Sequence, residues 1–500
     1  MVTTPSPLLF AALAAALTVY IPLPAFRLAL FALAAAGFVF SVVWICGRRK
    51  AFFRRPDPVF IFTIPALCFG VFCGLWSVSR LSHFTPGVPA ENIVSLKGIL
   101  LDDPRSLSSF TVPELSPETE RGISLMELRE TGAKLPGGKV RASAGGRVQV
   151  FFPAGTMPRL RGFGRGAELY VEGSFLPDDT AAAVPRFRAA SVHVVKAAPA
   201  LEQLRTVVRL SVLNRLKPKT WGGLAAALLL GTRENLEGGL ALSFRDAGLS
   251  HVLALSGMHL AFLSGLLAFA LKRPLGKKGA VLAGLAFIVL YVFLVGPQPS
   301  LIRAAIMYVL GSCLVLSGIT GQPFVLLGAA FLVQTLWEPA SAYSLSFILS
   351  YTALGGLLAA SGIIAGLLKG LLPDLPANGL GASVGAFLAS APVTAAFFGI
   401  LRPAGIIAGL IAAPLSGLFM ALSLAWLAVG KIRLLGMILD RLLGALQFFL
   451  QWSVSLFARL PGIAATLPAV LISAPLIAAG LFVLAIRQKR YRSCLAPFGL

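Results

Sequence analysis

The sequence carries little charge for its length. Charged residues make up only 13% of its 500 residues, whereas hydrophobic residues make up 57%. Such a composition excludes a soluble enzyme. The repeated apolar runs of about 20 residues match what a ~30 Å hydrocarbon core requires of spanning helices. The sequence therefore predicts a polytopic α-helical membrane protein.

Histidine and cysteine are also scarce. The four histidines and five cysteines form neither a CxxC pair nor the ligand spacing of a zinc site. Neither a Walker pattern nor a strand–GxGxxG–helix pattern occurs, so nothing indicates a nucleotide site that could supply force. We expect no metal, no cofactor and no catalysis from this chain, which is to say that it is not an enzyme.

The chain begins with three apolar segments, at residues 7–23, 26–46 and 58–79. Five basic residues between positions 48 and 55 lie between the second and the third, and such clusters remain in the cytoplasm. The first segment has no basic flank of the kind that precedes a signal peptide, so it is expected to be an uncleaved helix. Residues 1–80 are thus predicted to be N-terminal transmembrane helices with a cytoplasmic N-terminus.

Residues 81–200 are polar and rich in proline and glycine. Short alternating runs at 93–100, 146–152, 167–176 and 186–195 indicate an inserted, extracytoplasmic small β domain, either barrel or sandwich. Residues 105–140 are charged and turn-rich, and are expected to form a long loop. The stretch RLRGFGRG could contact nucleic acid, although a solvated loop is the more ordinary explanation; its basic residues are Arg159, Arg161 and Arg165.

The rest of the chain returns to the membrane. Residues 201–220 place apolar side chains at helical spacing with arginines between them, which predicts an amphipathic interfacial helix. Residues 221–490 form a further transmembrane domain of seven to nine helices, many interrupted by glycine or proline. Residues 491–500 are a tail that the basic run at 487–492 assigns to the cytoplasm.

Polar residues inside this apolar domain are candidates for a functional path, because such groups usually face a bundle interior or an aqueous route. The segment at 243–263 contains two histidines eight residues apart, about 12 Å along a helix, too far to share one metal. Ser256–Gly257 is a natural place for a bend or a close backbone contact. The candidates in this segment are Asp246, His251, Ser256, Gly257 and His259.

Ordinary explanations stay open for these residues. Each histidine could be a packing residue whose ring is hydrogen-bonded to a carbonyl. A triad of Ser256, His259 and Asp246 is conceivable, although no nucleophile elbow supports it. Arg303 follows Pro299, a typical helix start, so we expect it beside a broken helix. It could equally extend to the lipid headgroups or pair with Asp246 or Glu338.

Several ordered motifs resemble the ComEC-type competence family. SHVLALSGMHLAFL (250–263) is similar to the family's signature, a histidine followed by a Leu-Ala-(Ile/Leu)-Ser-Gly-x-His core, and residues 224–249 resemble the segment before it. GPQPSLIRAAIMYVLG (296–311) is similar to its Pro-Ser-x-x-Arg-Ala motif. Residues 336–358 and 389–417 resemble two later segments. The β domain also fits this resemblance, which implies an OB-like extracytoplasmic domain before the membrane channel.

The sequence also departs from the family. Glu338 stands where the family often has aspartate, Ser344 where it has glutamine, and Gly409 where it often has asparagine. Many members end in a metallo-β-lactamase-like domain that this chain, ending at residue 500, is expected to lack. Degradation of the second strand would then fall to a separate nuclease.

The resemblance implies a membrane channel for uptake of single-stranded DNA across the bacterial cytoplasmic membrane during natural transformation. It implies a DNA receptor, a cytoplasmic motor and a nuclease as partners, besides the membrane lipid. The physical requirement is a hydrated, positively biased path with contacts that tolerate any sequence. A transporter or flippase for another anionic substrate, built on the same broken helices, is the alternative.

Overall fold

A computed structural model of the chain contains two kinds of architecture, a β domain and a set of apolar helices. Predicted helix 26–46 and the basic tail lie outside the residues that it describes, as do Arg159, Arg161 and Ser256. The described residues are 7–21, 58–80, 84–107, 121–135, 138–153, 156, 160, 162–176, 184–234, 236, 238–253, 255, 257–319, 322–369 and 371–465.

The helices follow the apolar segments of the sequence. At the N-terminal end, α1 and α2 pack so closely that a Cβ atom on Gly74 would lie 2.6 Å from Thr18 Cβ. The helices are α1 (Pro7–Tyr20), α2 (Pro58–Ser79), α3 (Ala200–Leu216), α4 (Gly222–Leu230), α5 (Gly238–Asp246), α6 (Ser250–Leu253), α7 (Gly257–Val295), α8 (Pro299–Leu316), α9 (Pro323–Trp337), α10 (Leu345–Leu368), α11 (Asp374–Phe398), α12 (Ala404–Val429) and α13 (Arg433–Ala458).

The strands of the β domain close into a barrel. β1 pairs with both β3 and β6, so the order β1–β6–β7–β5–β3 returns to β1. The pairing of β5 with β7 is parallel, and the other pairings are antiparallel. The strands are β1 (Ile93–Leu100), β2 (Arg105–Leu107), β3 (Arg121–Leu135), β4 (Gly138–Ser143), β5 (Arg147–Phe152), β6 (Glu168–Phe175) and β7 (Arg186–Lys196), with a separate pair of β8 (Ile400–Leu401) and β9 (Ile463–Ala464).

The interior of the barrel is apolar. Alternate residues of each strand point inward, and Leu96, Met126, Val150, Leu169 and Phe187 are all fully buried there. All four strand predictions are confirmed within one residue at each end. The alternation was readable because one face of these strands lies in the core and the other faces outward.

The prediction of a long loop over 105–140 is wrong for the residues of this range that the structure describes, which are in strands. Residues 121–135 form β3, the longest strand, which contacts β1, β2, β4 and β5. Its inward positions include Ser124 and Thr131, which are buried but polar, and its outward positions carry charge. The usual contrast between apolar and polar positions is therefore weak in this strand.

Six of the helices are long and apolar enough to cross a membrane, namely α7, α8, α10, α11, α12 and α13. Three shorter apolar helical stretches accompany them, at Ala11–Tyr20, Ala66–Ser79 and Pro323–Trp337. The helices of the described residues are thus those expected of a multi-pass membrane protein, as the composition predicted. The shorter helix α4 is almost entirely buried among its neighbours.

Helix α7 folds back on itself at its middle. A straight helix of its 39 residues would extend about 58 Å, nearly twice the hydrocarbon thickness. Gly276 interrupts it, with a φ of 69° and a ψ of 178°. The start of α7 touches Arg303 in α8, and its end leads into α8 after three residues. Both ends therefore lie beside the start of α8, and residues 272–278 form the tip of a hairpin.

Candidate functional site

Several helix ends meet inside the helical region, at a place that we call the broken-helix junction. Ser300 Oγ donates a hydrogen bond to the carbonyl oxygen of Leu255 at 2.7 Å, and Tyr291 Oη donates to that of Leu229 at 2.9 Å. The first bond connects the start of α8 to the break before α7, and the second connects the end of α7 to the end of α4. The junction comprises the end of α4 (Leu230), both ends of α7 (Gly257 and Val295) and the start of α8 (Pro299).

Glycine and proline produce these breaks. Gly231 and Gly296 follow the last residues of α4 and α7 with φ values of 69° and 101°, in the left-handed region that glycine enters without steric cost. Pro299 occupies the first turn of α8, where its missing N–H is not needed. Each break exposes backbone N–H or C=O groups that have no partner within their own helix.

The predicted close contact at Gly257 is confirmed. A Cβ atom at this position would lie 2.8 Å from Arg303 Nη2 and 3.0 Å from Ala304 Cβ. A Cβ atom here would require the Arg303 guanidinium to shift, so glycine at 257 favours this close approach of α8 to the start of α7. The contact places the guanidinium of Arg303 beside the first turn of α7, where unpaired N–H groups carry a partial positive charge.

Arg303 is buried at the broken-helix junction without a carboxylate. It is 7% exposed, its Nη1 donates to the carbonyl oxygen of Ser350, and its guanidinium carbon lies 5.8 Å from the centre of the Tyr351 ring. Its Nε has no hydrogen-bond partner in the described part of the chain. A carbonyl and an aromatic ring lower the cost of burying this cation but do not neutralise it.

The sequence allowed Arg303 to pair with Asp246 or Glu338, and both alternatives are wrong. Asp246 Oδ1 accepts from Arg402 Nη2 at 3.0 Å and lies 3.2 Å from Arg245 Nε. Glu338 pairs with Arg147 of the β domain at 3.3 Å. Asp246 therefore fastens the end of α5 to the start of α12, away from the residues that surround Arg303.

Two residues that the sequence analysis missed complete the surroundings of Arg303. Gln334 in α9 is buried, donates from Nε2 to the carbonyl oxygen of Pro299 at 3.0 Å, and accepts from Tyr351 Oη at 3.0 Å. It thus connects the start of α8 to the aromatic ring beside Arg303. A single glutamine within the apolar run of α9 was the available signal, because polar groups at membrane depth are costly.

The two histidines of the 243–263 segment lie in different surroundings. The segment is not one helix, because α5, α6 and α7 are separated by breaks at Gly248, with a φ of 75°, and before Gly257. His251 in α6 is exposed, whereas His259 in α7 is 1% exposed. The described residues contain no group of three histidine, cysteine, aspartate or glutamate side chains that could hold a metal ion.

A second group of buried charges lies where the barrel meets the helices. Arg205 of α3 is 2% exposed, and it binds Asp103 through two parallel bonds, Nη1 to Oδ1 at 3.0 Å and Nη2 to Oδ2 at 2.6 Å. Its Nη1 also donates to Glu202 at 3.2 Å. Burial alone would raise the pKa of Asp103, but the hydrogen bond and charge of Arg205 outweigh it and hold that pKa below its ordinary value.

Arg209 connects this group to the broken-helix junction. It donates from Nη1 to the carbonyl oxygen of Val295 at 3.0 Å and from Nη2 to that of Leu230 at 3.1 Å. The ends of α7 and α4 are thereby both capped by one side chain. The predicted helix over 201–218 is confirmed as α3. Its residues Arg205 and Arg209 are directed inward, and the apolar residues of its first half are exposed, whereas Leu216 at its end is buried.

Arg165 is the described member of the three basic residues of RLRGFGRG. Its side chain is bound to Glu202, and its backbone N–H donates to Asp103 Oδ1 at 3.1 Å. It therefore takes part in the contact between barrel and helices. We call this group of five residues the arginine cluster; it consists of Asp103, Arg165, Glu202, Arg205 and Arg209.

Comparison with known proteins gives a family match over the helical domain. Residues 228–490, more than half of the chain, match the family described as Competence protein. A stretch of 158 residues is 31% identical to ComE operon protein 3 of Bacillus subtilis (strain 168), which is 31% of this chain and 20% of that protein.

A second relative is an uncharacterized protein of Aquifex aeolicus (strain VF5). It is 29% identical over 216 residues, which is 42% of this chain and 49% of that protein. The chain thus spans about a fifth and about half of the lengths of these two relatives. No solved structure matches the chain. The matched family region contains the whole of α7 and α8, and therefore both Gly257 and Arg303.

Proposed function

The chain belongs to the Competence protein family, and from that premise we propose that it is a channel for single-stranded DNA in the bacterial cytoplasmic membrane. Its role is the uptake of DNA during natural transformation. We assign it no catalytic step and no cofactor. A DNA receptor, a cytoplasmic motor and a separate nuclease would deliver the strand, pull it and degrade its complement.

The observation that carries this proposal is the buried, unneutralised Arg303 at the broken-helix junction. A strand of phosphates needs positive groups within the membrane that are not already satisfied by carboxylates. Arg303 lies beside the start of α7 and near the start of α8, and helix N-termini are favourable places for anions. Broken membrane helices whose N-termini face an anionic group are a recurring solution for transport.

The strand order of the barrel supports an OB-like assignment. Counting only the five strands that close it, the order is first, second, third, fifth, fourth and back to the first, with the third and fifth strands parallel. OB folds are five-stranded Greek-key barrels that bind oligonucleotides on one face. We therefore infer that the β domain guides DNA toward the helices.

The charges of the helical hairpin support the proposed orientation. Lys272, Arg273, Lys277 and Lys278 are exposed at the tip of α7. The other end of α7, at Val295, contacts Arg205 and Arg209 next to the barrel. Short basic loops remain in the cytoplasm, so the barrel is assigned to the extracytoplasmic side. The two termini, outside the described residues, are assigned to the cytoplasm from their basic flanks.

The proposal is tested by deletion in a transformable host. Transformants should fall to background, DNA bound at the cell surface should stay at the wild-type level, and expression of the chain from a second locus should restore uptake. Normal transformation in the deletion strain would overturn the proposal. That result would favour the alternative, a transporter or flippase for another anionic substrate, because Arg303 and the helix N-termini would attract any phosphate-bearing molecule.

A further inference from the structure

The Asp103 carboxylate is bound in the way that a phosphate would be. Two parallel bonds from one guanidinium, at 3.0 and 2.6 Å, form the planar fork that arginine uses for carboxylate and for phosphate alike. Arg209 Nε lies 3.9 Å from Asp103 Oδ2, and the N–H of Arg165 completes the cradle. The chain therefore contains a built anion site that one of its own side chains fills.

The cations around this site exceed the anions. Three arginines of the arginine cluster surround two carboxylates, since Glu202 is shared between Arg165 and Arg205. The side chain of Arg205 is almost inaccessible to solvent, and its buried Nε has no hydrogen-bond partner within the described residues. Such a site has hydrogen-bond donors and positive charge to spare. It can therefore exchange one anion for another while the carboxylates of the cluster keep cationic partners.

The two sides of the site belong to different parts of the molecule. Asp103 lies between β1 and β2 of the barrel, whereas Arg205 and Arg209 lie on α3. The same two arginines also donate to the carbonyl oxygen of Val295, at 3.4 Å and 3.0 Å. Release of Asp103 would therefore loosen the barrel from α3 and change the bonds at the end of α7, where the broken-helix junction begins.

We propose that Arg205 and Arg209 form a binding site for the phosphodiester backbone, that Asp103 occupies it at rest, and that an arriving strand displaces Asp103. The identity of the phosphate donor rests on the proposed function. The exchange couples arrival of DNA at the barrel to the contacts that hold the end of α7. Because Asp103 is tethered to the chain, it competes for the two arginines at a high effective concentration. The apparent affinity of the resting chain for DNA is therefore the intrinsic affinity multiplied by the fraction of sites that Asp103 leaves open.

The test measures binding of a fluorescent single-stranded oligothymidylate to the full-length chain in detergent, over a series of salt concentrations. Asp103→Asn keeps the shape of the side chain but removes its charge. It should tighten binding about tenfold, because one competing charge-assisted pair is lost. The slope of log affinity against log salt should steepen by about 0.7, because in the wild type the displaced Asp103 carboxylate takes up a cation that offsets the one released from the phosphate.

Two further variants separate this site from a general loosening of the barrel. Glu338→Gln breaks an ion pair between barrel and helices that lies outside the arginine cluster, and it should leave affinity and salt slope unchanged. Arg209→Gln removes a cation but keeps the bonds between Asp103 and Arg205, and it should weaken binding about threefold and flatten the slope. The result for Arg209→Gln keeps the proposal testable if Asp103→Asn does not fold.

The outcomes also distinguish this inference from the proposed function. Wild-type binding with no gain in Asp103→Asn, or an equal gain in Glu338→Gln, would overturn the phosphate site and leave the channel proposal standing. Absence of oligonucleotide binding in every variant, together with a gain in binding of inorganic polyphosphate in Asp103→Asn, would support the site and count against DNA as the cargo.

Discussion

The broken-helix junction and the arginine cluster are neighbours that balance buried positive charge in opposite ways. At the junction, Arg303 has a carbonyl oxygen and an aromatic ring as partners, and no carboxylate. In the arginine cluster, Arg205 is bound by Asp103 and Glu202. One region retains its positive potential, and the other uses it to hold the barrel to the helices.

This difference has one consequence for stability and, under the proposed function, another for transport. A buried cation that has a carboxylate partner contributes to stability as long as that partner stays in place. A buried cation without such a partner is costly, and in membrane proteins it usually faces the bundle interior or a water-filled cavity. The two regions are connected through Val295, which ends α7 and receives bonds from Arg205 and Arg209. Substitutions in the arginine cluster should therefore change folding first, and substitutions at the junction should change transport first.

The largest effect is expected from Arg205→Ala. Removal of this guanidinium leaves Asp103 with weaker partners at a mostly buried position and removes a bond to Val295. Loss of one member of a buried ion pair costs about 3 kcal/mol or more. The free energy of unfolding of the purified chain in detergent, measured by denaturant titration, should fall by about that amount.

A double variant tests whether the cost comes from the stranded carboxylate. Arg205→Ala combined with Asp103→Ala should recover about half of the lost stability, because no uncompensated charge remains. A double variant as unstable as Arg205→Ala alone would show that the arginine acts through its bond to Val295 and not through Asp103.

The next effect is expected from Arg303→Ala, and it should appear in transport. Transformation should fall about 100-fold, which corresponds to about 2.7 kcal/mol on a rate, because the path loses its unneutralised cation. Protein abundance in the membrane should stay within about twofold of wild type. Arg273→Ala, at the exposed tip of α7, is the control and should transform normally; loss of Arg303→Ala protein from the membrane would indicate a packing role instead.

A smaller effect is expected from Gly257→Ala. The added methyl group would lie 2.8 Å from Arg303 Nη2 and 3.0 Å from Ala304 Cβ, so the guanidinium must move by a few tenths of an ångström or more. We expect transformation to fall about tenfold, as is usual for a displaced positioning group. Gly265→Ala is a matched control in the same helix, since a Cβ there has nothing within 4 Å. Equal losses in both variants would point to helix propensity rather than to Arg303.

The contrast between the two regions was only partly visible in the sequence. Proline, glycine and arginine in GPQPSLIR predicted a cation beside a helix break, and Arg303 lies there. Its partners could not be predicted, because Ser350 and Tyr351 come from another helix 47 and 48 positions along the chain. Local patterns specify where helices break but do not specify which helices meet at the break.

The arginine cluster was hidden for a similar reason. Arg205 and Asp103 are 102 positions apart, and their pairing depends on how the barrel sits on α3. The apolar and basic periodicity of α3 predicted its helix correctly. The same periodicity suggested a helix at the membrane surface, and it could not reveal that the arginines face the protein. Strand β3 was missed because two of its inward residues, Ser124 and Thr131, are polar and interrupt the apolar alternation.

The smallest effect is expected from Glu338→Gln, at an ion pair between barrel and helices that lies outside the arginine cluster. Glu338 and Arg147 form an ion pair at 3.3 Å, but their side chains remain 42% and 26% exposed, so water already stabilises both charges. Solvent-exposed ion pairs typically contribute about 0.2–1 kcal/mol. The same unfolding titration should therefore resolve almost no change, in contrast to Arg205→Ala. A loss comparable to that of Arg205→Ala would mean that the barrel is held at its rim, and that burial of the arginine cluster is not what fastens the two parts together.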